Sequence, residues 1–142
     1  MKTLFIIYWS GTGNTRAMAQ AVAQGARDAG SEAILKEVSE VDAELLRSSD
    51  ALALGCPSMG SEVLEEELME PFVAALGRDE LDGRKLGLFG SYDWGDGEWM
   101  RNWVERMRGL GALVEDNGVI TQLEPDVKAL EECLALGAKL VA

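Results

Sequence analysis

The chain has 142 residues, 13 Lys and Arg against 25 Asp and Glu, and no histidine, for a formal net charge of −12. With 47% hydrophobic residues it is long enough to bury a full core, which excludes a disordered chain and sets the expectation of a single domain over residues 1–142. Two cysteines without histidine exclude a disulfide scaffold, a Cys-based zinc site and Ser-His-Asp hydrolysis, and the charge excludes nucleic acid and anionic lipid while favouring basic protein surfaces.

Thr3 to Tyr8 is a nearly continuous apolar, β-favouring run, the pattern of a strand covered on both faces of a parallel sheet. No signal-peptide pattern precedes it and no apolar run approaches the roughly 20 residues of a membrane span, so the expected location is cytoplasmic. The loop Trp9-Ser10-Gly11-Thr12-Gly13-Asn14 follows, and then Met18, Val22, Gly25, Ala26 and Ala29 recur at helical spacing up to Gly30. A second strand is expected around Ala33-Ile34-Leu35, a short helix from Ser39 to Ser48 capped by Ser39 or Asp42, and a third strand at Ala51 to Leu54. Ser58 to Glu70 reads as an acidic loop, with Pro71 at the first position of a helix that uses Phe72 and Leu76.

Leu86 to Gly90 predicts a fourth strand, and Ser91 to Gly97 a second glycine-rich loop. Trp99, Trp103, Met107 and Leu110 share one face of the next helix, and by that spacing Trp99 and Trp103 read as core. Ala112 to Val114 and Val119 to Thr121 make a fifth strand interrupted at Asp116-Asn117-Gly118. The last helix runs from about Asp126 to Val141, with Val127, Leu130, Leu134, Ala138 and Val141 expected inward. Five strands alternating with helices predict an open, doubly wound parallel α/β sheet.

Ser10 to Thr15 lies where a helix amino end presents unpaired N–H groups and partial positive charge, so it reads as a phosphate cradle. Ser10, Thr12 and Thr15 add hydroxyls. The loop lacks the Lys of a Walker A motif, and Arg16 stands where a dinucleotide fingerprint needs Gly, so a terminal monophosphate suits it best. The cysteines read as buried small hydrophobes: nothing near Cys56 would depress its pKa strongly.

Three segments together carry a specific resemblance that spans the whole chain: Tyr8 to Thr15, Met59 to Glu65, and Gly90 to Gly97. They resemble the short-chain flavodoxins. The resemblance implies a five-stranded parallel sheet of order 2-1-3-4-5 with flavin mononucleotide (FMN) at the switch between strands one and three. It implies a low-potential one-electron carrier, not an enzyme, that holds FMN non-covalently and cycles mainly between its semiquinone and hydroquinone. The alternative is an FMN-dependent reductase of a quinone or similar small molecule, which the lack of a second nucleotide site counts against.

By the same resemblance Ser10, Gly11, Thr12, Gly13, Asn14 and Thr15 hold the phosphate, Trp9 contacts the cofactor on a side left open, and Ser58, Met59, Gly60, Ser61, Glu62, Ser91, Tyr92, Asp93, Trp94, Gly95 and Gly97 hold the ring, with no metal. Trp94 would stack on the outer face, Tyr92 being the other candidate, and Met59 would lie against the inner face. Glu62 would accept a hydrogen bond from the flavin N3–H. Gly60 would occupy the position of a four-residue type II′ turn, Met59 to Glu62, that requires positive φ. Ser61 departs from the Asp the pattern carries there. Residues 60–100 hold 11 acidic and 3 basic side chains, a balance of −8, which would oppose a second electron and steer basic redox proteins to a monomeric carrier.

Overall fold

The computed structural model describes residues 2–142. Five parallel strands, β1 (Thr3–Tyr8), β2 (Glu32–Glu37), β3 (Ala51–Gly55), β4 (Lys85–Tyr92) and β5 (Val119–Gln122), pair in the order β2-β1-β3-β4-β5. The helices are α1 (Asn14–Asp28), α2 (Met69–Ala74), α3 (Arg78–Leu81), α4 (Glu98–Gly109) and α5 (Val127–Leu140).

The continuous apolar runs follow from burial on both faces. Phe5, Ile7, Leu52, Leu54, Leu86 and Leu88 point to one side and pack with α2 and α4, where Trp99 and Trp103 are buried as their spacing predicts. Leu4, Ile6, Ala51, Ala53 and Phe89 point to the other side, under α1 and α5. This period of two is the strand's own geometry. Register places Tyr8 beside Gly55, and Gly55 beside Phe89, so the segments after β1 and β3 leave the same carboxyl edge as neighbours.

Several local expectations differ from the structure. The link from β2 to β3 is two 3₁₀ segments, Val38–Glu40 and Ala43–Ser48, in place of one helix, and Asp42 is the cap, accepting from the Leu45 N–H at 3.1 Å. α2 begins two residues before Pro71, which costs nothing because the first-turn N–H groups have no helical acceptor anyway. β4 continues through Ser91 and Tyr92, which pair with Thr121 and Gln122, so the third loop starts only at Asp93. Leu113 bridges Lys85 beside β4 apart from β5 proper, as the expected interruption implies.

The last helix is rotated from its predicted face. Ala129, Cys133, Leu136, Gly137 and Leu140 are buried, whereas Val127 is 73% exposed and Leu130, Leu134, Ala138 and Val141 sit at the margins. The reason is close helix approach: a Cβ at Gly137 would collide with the Val22 carbonyl of α1. Small residues therefore take the contact that the larger apolar ones were expected to fill. Among the described residues no helix is long and apolar enough to cross a membrane.

Candidate functional site

The first loop is folded around one hydroxyl. Ser10 Oγ accepts from the N–H of Gly13 at 3.1 Å and of Arg16 at 3.3 Å, and the Asn14 N–H reaches Thr12 Oγ1 at 3.4 Å. Because its oxygen already accepts twice, Ser10 has its O–H left to donate outward. Gly13 caps α1, whose first turn carries no acidic residue, so the positive helix end is not neutralised from within. Gly11, Thr12 and Gly13 are exposed, and Asn14 is half-buried. Thr15 differs: it is buried, and its hydroxyl lies 3.2 Å from Ser91 Oγ, a tie between α1 and the end of β4. This donor-rich, acid-free cradle fits a phosphate dianion.

The second loop begins at Cys56, and its Ser58 N–H donates to the Ser91 carbonyl at 2.9 Å. Met59 and Val63 then exchange two main-chain hydrogen bonds of 2.8 and 2.9 Å, closing a hairpin over Gly60, Ser61 and Glu62. The turn is thus one residue wider than the expected four. Gly60 has φ +48°, positive as required, and Glu62 also sits in the left-handed region at φ +56°.

Glu62 reaches across to the third loop. Its Oε1 accepts from the N–H groups of Asp96 at 3.2 Å and Gly97 at 3.3 Å, so one carboxylate latches the two loops together at the amino end of α4. Gly95 is required beside it, since its φ is +93° and a Cβ there would run into the Glu62 carboxylate. In the third loop Tyr92 is half-buried against Trp99, with ring centroids 5.6 Å apart, while Trp94 is 60% exposed.

These loops enclose a crevice of about 260 Å³ at the carboxyl edge of the sheet. Trp9, Gly11, Thr12 and Asn14 line it from the first loop, Pro57, Ser58 and Met59 from the second, and Ser91, Tyr92 and Asp93 from the third. A second, more open hollow of about 410 Å³ shares Trp9 and Met59 with it and runs over Gly60 and Val63 to Glu65, Glu66 and Glu67. Of the other expected site residues, Gly60 lines only the second hollow, while Ser10, Gly13, Thr15, Ser61, Glu62, Trp94, Gly95 and Gly97 line neither. Sequence reasoning missed Pro57, at the exit of β3, and Leu123, which completes the lining with its N–H on the Tyr92 carbonyl at 2.8 Å. The signal was available: Leu123 follows β5, whose carboxyl end reaches the same edge.

The acidic surroundings are less uniform than their count suggests. Glu62 and Glu65 hold main-chain amides, and Glu70 forms a two-bond pair with Arg106 at 2.8 and 2.7 Å. Glu66 and Glu67 remain exposed and outside any ion pair among the described residues. Burial pushes the Cys56 thiol up to about 12 against an opposing N–H from Glu65, so it is an unreactive neutral thiol at neutral pH.

Comparison with known proteins follows this geometry closely. The family model described as Flavodoxin matches residues 6–137. A flavodoxin of Clostridium beijerinckii is 46% identical over 135 residues, 95% of this chain and 96% of that protein. A flavodoxin of Megasphaera elsdenii is 41% identical over 133 residues, 92% of this chain and 96% of its own. The solution structure of the two-electron reduced Megasphaera elsdenii flavodoxin superposes with a TM-score of 0.85 at 40% identity, covering 97% of this chain and 98% of that one.

Proposed function

The chain belongs to the flavodoxin family, and from that premise we propose that it is a small electron carrier, not an enzyme, that binds one FMN non-covalently in the crevice at the carboxyl edge. The observation that carries this reading is the convergence of the loops after β1, β3 and β4 on one cleft with a donor-rich cradle at one end and aromatic and thioether walls at the other.

In this reading the α1 amino end, with Ser10, Gly11, Thr12, Gly13, Asn14 and the tie from Thr15 to Ser91, holds the phosphate through N–H and O–H donors, without a metal. Trp9, Met59 and Tyr92 wall the ring, and the exposed Trp94 lies over its outer face, where an indole gains an apolar partner. Ser58, Gly60, Ser61, Asp93, Gly95 and Gly97 shape the backbone that approaches it. Glu62 keeps its Oε1 on the Asp96 and Gly97 amides and offers Oε2 to the flavin N3–H. When bound, FMN supplies one-electron steps at low potential, chiefly between its half-reduced and fully reduced states. Around it, Glu66, Glu67 and Asp93 present negative charge to basic redox proteins, and the chain works as a cytoplasmic monomer of one domain.

Flavin titration of the purified chain tests this. FMN should bind at one site per chain and quench in fluorescence, FAD should bind poorly, and anaerobic NADPH alone should leave the complex oxidised until a separate reductase is added. Tight FAD binding, no FMN binding, or direct reduction by NADPH would overturn it.

A further inference from the structure

Glu65 stands apart from the other acids of the second loop. It is only 6% exposed, yet it is a carboxylate. Its Oε1 accepts from the N–H of Leu68 at 2.6 Å and Met69 at 3.0 Å, and its Oε2 from the N–H of Glu67 at 2.9 Å. Its own N–H donates to Cys56 Sγ at 3.4 Å, and its carbonyl accepts from the Glu70 N–H at 2.8 Å. Every polar group of the residue is therefore engaged. One end of this knot is Cys56, just past β3, and the other is the start of α2, whose own cap residue Leu68 supplies no side-chain bond.

The flavin-side turn lies between those two anchors. Val63, two residues before Glu65, is paired through its main chain to Met59, and the hollow bounded by Trp9, Met59 and Gly60 has Glu65 in its wall. Moving the turn would require the loop from Pro57 to Leu64 to shift against a residue held on both sides. A carboxylate suits the knot because it accepts at both oxygens, whereas an amide side chain would turn two N–H donors toward the donors of the loop.

We propose that Glu65 is a positioning residue, whose buried carboxylate sets the place of Met59 and Gly60 beside the cofactor by holding the amides of residues 67–69. Its position against FMN rests on the function proposed above; its hold on the turn does not. The same arrangement explains its acidity: burial pulls the carboxyl upward, but donations from Met69, Leu68 and Glu67 outweigh it and leave the group below the ordinary carboxylate value.

The test compares Glu65→Gln, Glu65→Asp and, as a charge control on an exposed neighbour, Glu66→Gln. In the FMN-free chain, amide hydrogen exchange at Met59, Val63, Leu68 and Met69 should accelerate about tenfold or more in both Glu65 variants, with β1 and β3 unchanged, and stay at the wild-type rate in Glu66→Gln. In FMN titrations the Glu65 variants should bind about tenfold more weakly and shift the first reduction potential, while Glu66→Gln stays within about twofold in affinity and shifts chiefly the second. Glu65→Asp keeps the charge on a shorter stem, so its agreement with Glu65→Gln separates geometry from charge; it also carries the test if Glu65→Gln does not fold. Identical behaviour of Glu65→Gln and Glu66→Gln, or loosening at residues 67–69 alone with the Met59 and Val63 amides and the FMN affinity unmoved, overturns the proposal. Failure of the wild-type chain to bind FMN overturns the proposed function, and the exchange measurements still decide whether Glu65 holds the turn.

Discussion

Two residues of the candidate site do opposite things with an exposed surface. Trp94 holds a large indole 60% in solvent between flexible neighbours, while Gly60 holds no side chain in a space where an added Cβ would meet nothing within 4 Å. Trp94→Ala should weaken FMN binding by on the order of 1–3 kcal/mol, from lost stacking and apolar burial, and restore flavin fluorescence. It should leave urea unfolding of the FMN-free chain unchanged, because the indole packs on nothing in the core. If affinity and quenching persist, the stacking role passes to Tyr92 or Trp9, which both line the crevice. Gly60→Ala tests the backbone alone: at φ +48° a Cβ costs about 1–2 kcal/mol without any clash. Because the FMN-free chain already holds φ +48°, the strain should appear as a loss of about that size in its stability to urea, with affinity for oxidised FMN nearly unchanged. A fall of about tenfold or more in fluorescence titration would show that the free turn relaxes out of the left-handed region and that binding forces it back.

Among the elements, the acidic loop between β3 and α2 separates charge that builds structure from charge that makes a field. Glu65 is committed to amides and Glu70 to Arg106, which leaves Glu66 and Glu67 as the pair whose removal alters the field and little else. A unit charge at about 10 Å with an effective dielectric of about 20 contributes roughly 1.7 kcal/mol before screening. Glu66→Gln with Glu67→Gln should therefore raise the second reduction potential by tens of millivolts. The effect should shrink as ionic strength rises, with affinity for oxidised FMN nearly constant. A redox titration at low and high salt checks both. A lowered potential, or a shift that ignores salt, would contradict the electrostatic account.

For the whole molecule, the buried acids and thiols set the pH range of stability. Glu65 and Glu80 both have folded-state values below the ordinary carboxylate, Glu80 through the Gly77 N–H first and then Arg47. Groups lowered on folding stabilise above the unfolded carboxylate value of about 4.3, and that contribution is lost as pH falls through their folded values. Cys56 and Cys133, both raised to about 12 by burial, act in the other direction. Their contribution is complete below the unfolded thiol value of about 8.5 and declines as pH rises from there toward 12. With no histidine to titrate between, thermal unfolding midpoints should form a plateau from about pH 6 to 8 and fall on both sides. Glu80→Gln should flatten the acid limb. A midpoint that changes steeply across the plateau would contradict this assignment of the titrating groups.

Much of this molecule was already determined by its sequence alone. The continuous apolar runs at Thr3–Tyr8 and Ala51–Gly55 specify strands buried on both faces, and the glycine- and hydroxyl-rich Ser10–Thr15 specifies a donor-rich helix start with no acid in its first turn. Both are properties of neighbours in the chain, which local sterics and periodicity dictate. What tertiary structure decided lies across long separations. Ser91 and Tyr92 became strand because β5 supplied partners, and α5 turned its small residues inward because α1 approached within backbone contact. Leu123 joined the crevice because parallel strands end together. Glu62 and Glu65, both plain acids of one loop by composition, received different tasks according to which amides folding brought within hydrogen-bond reach. A carboxylate's role depends on the donors that meet it, and those meetings follow from the fold rather than from its position in the chain.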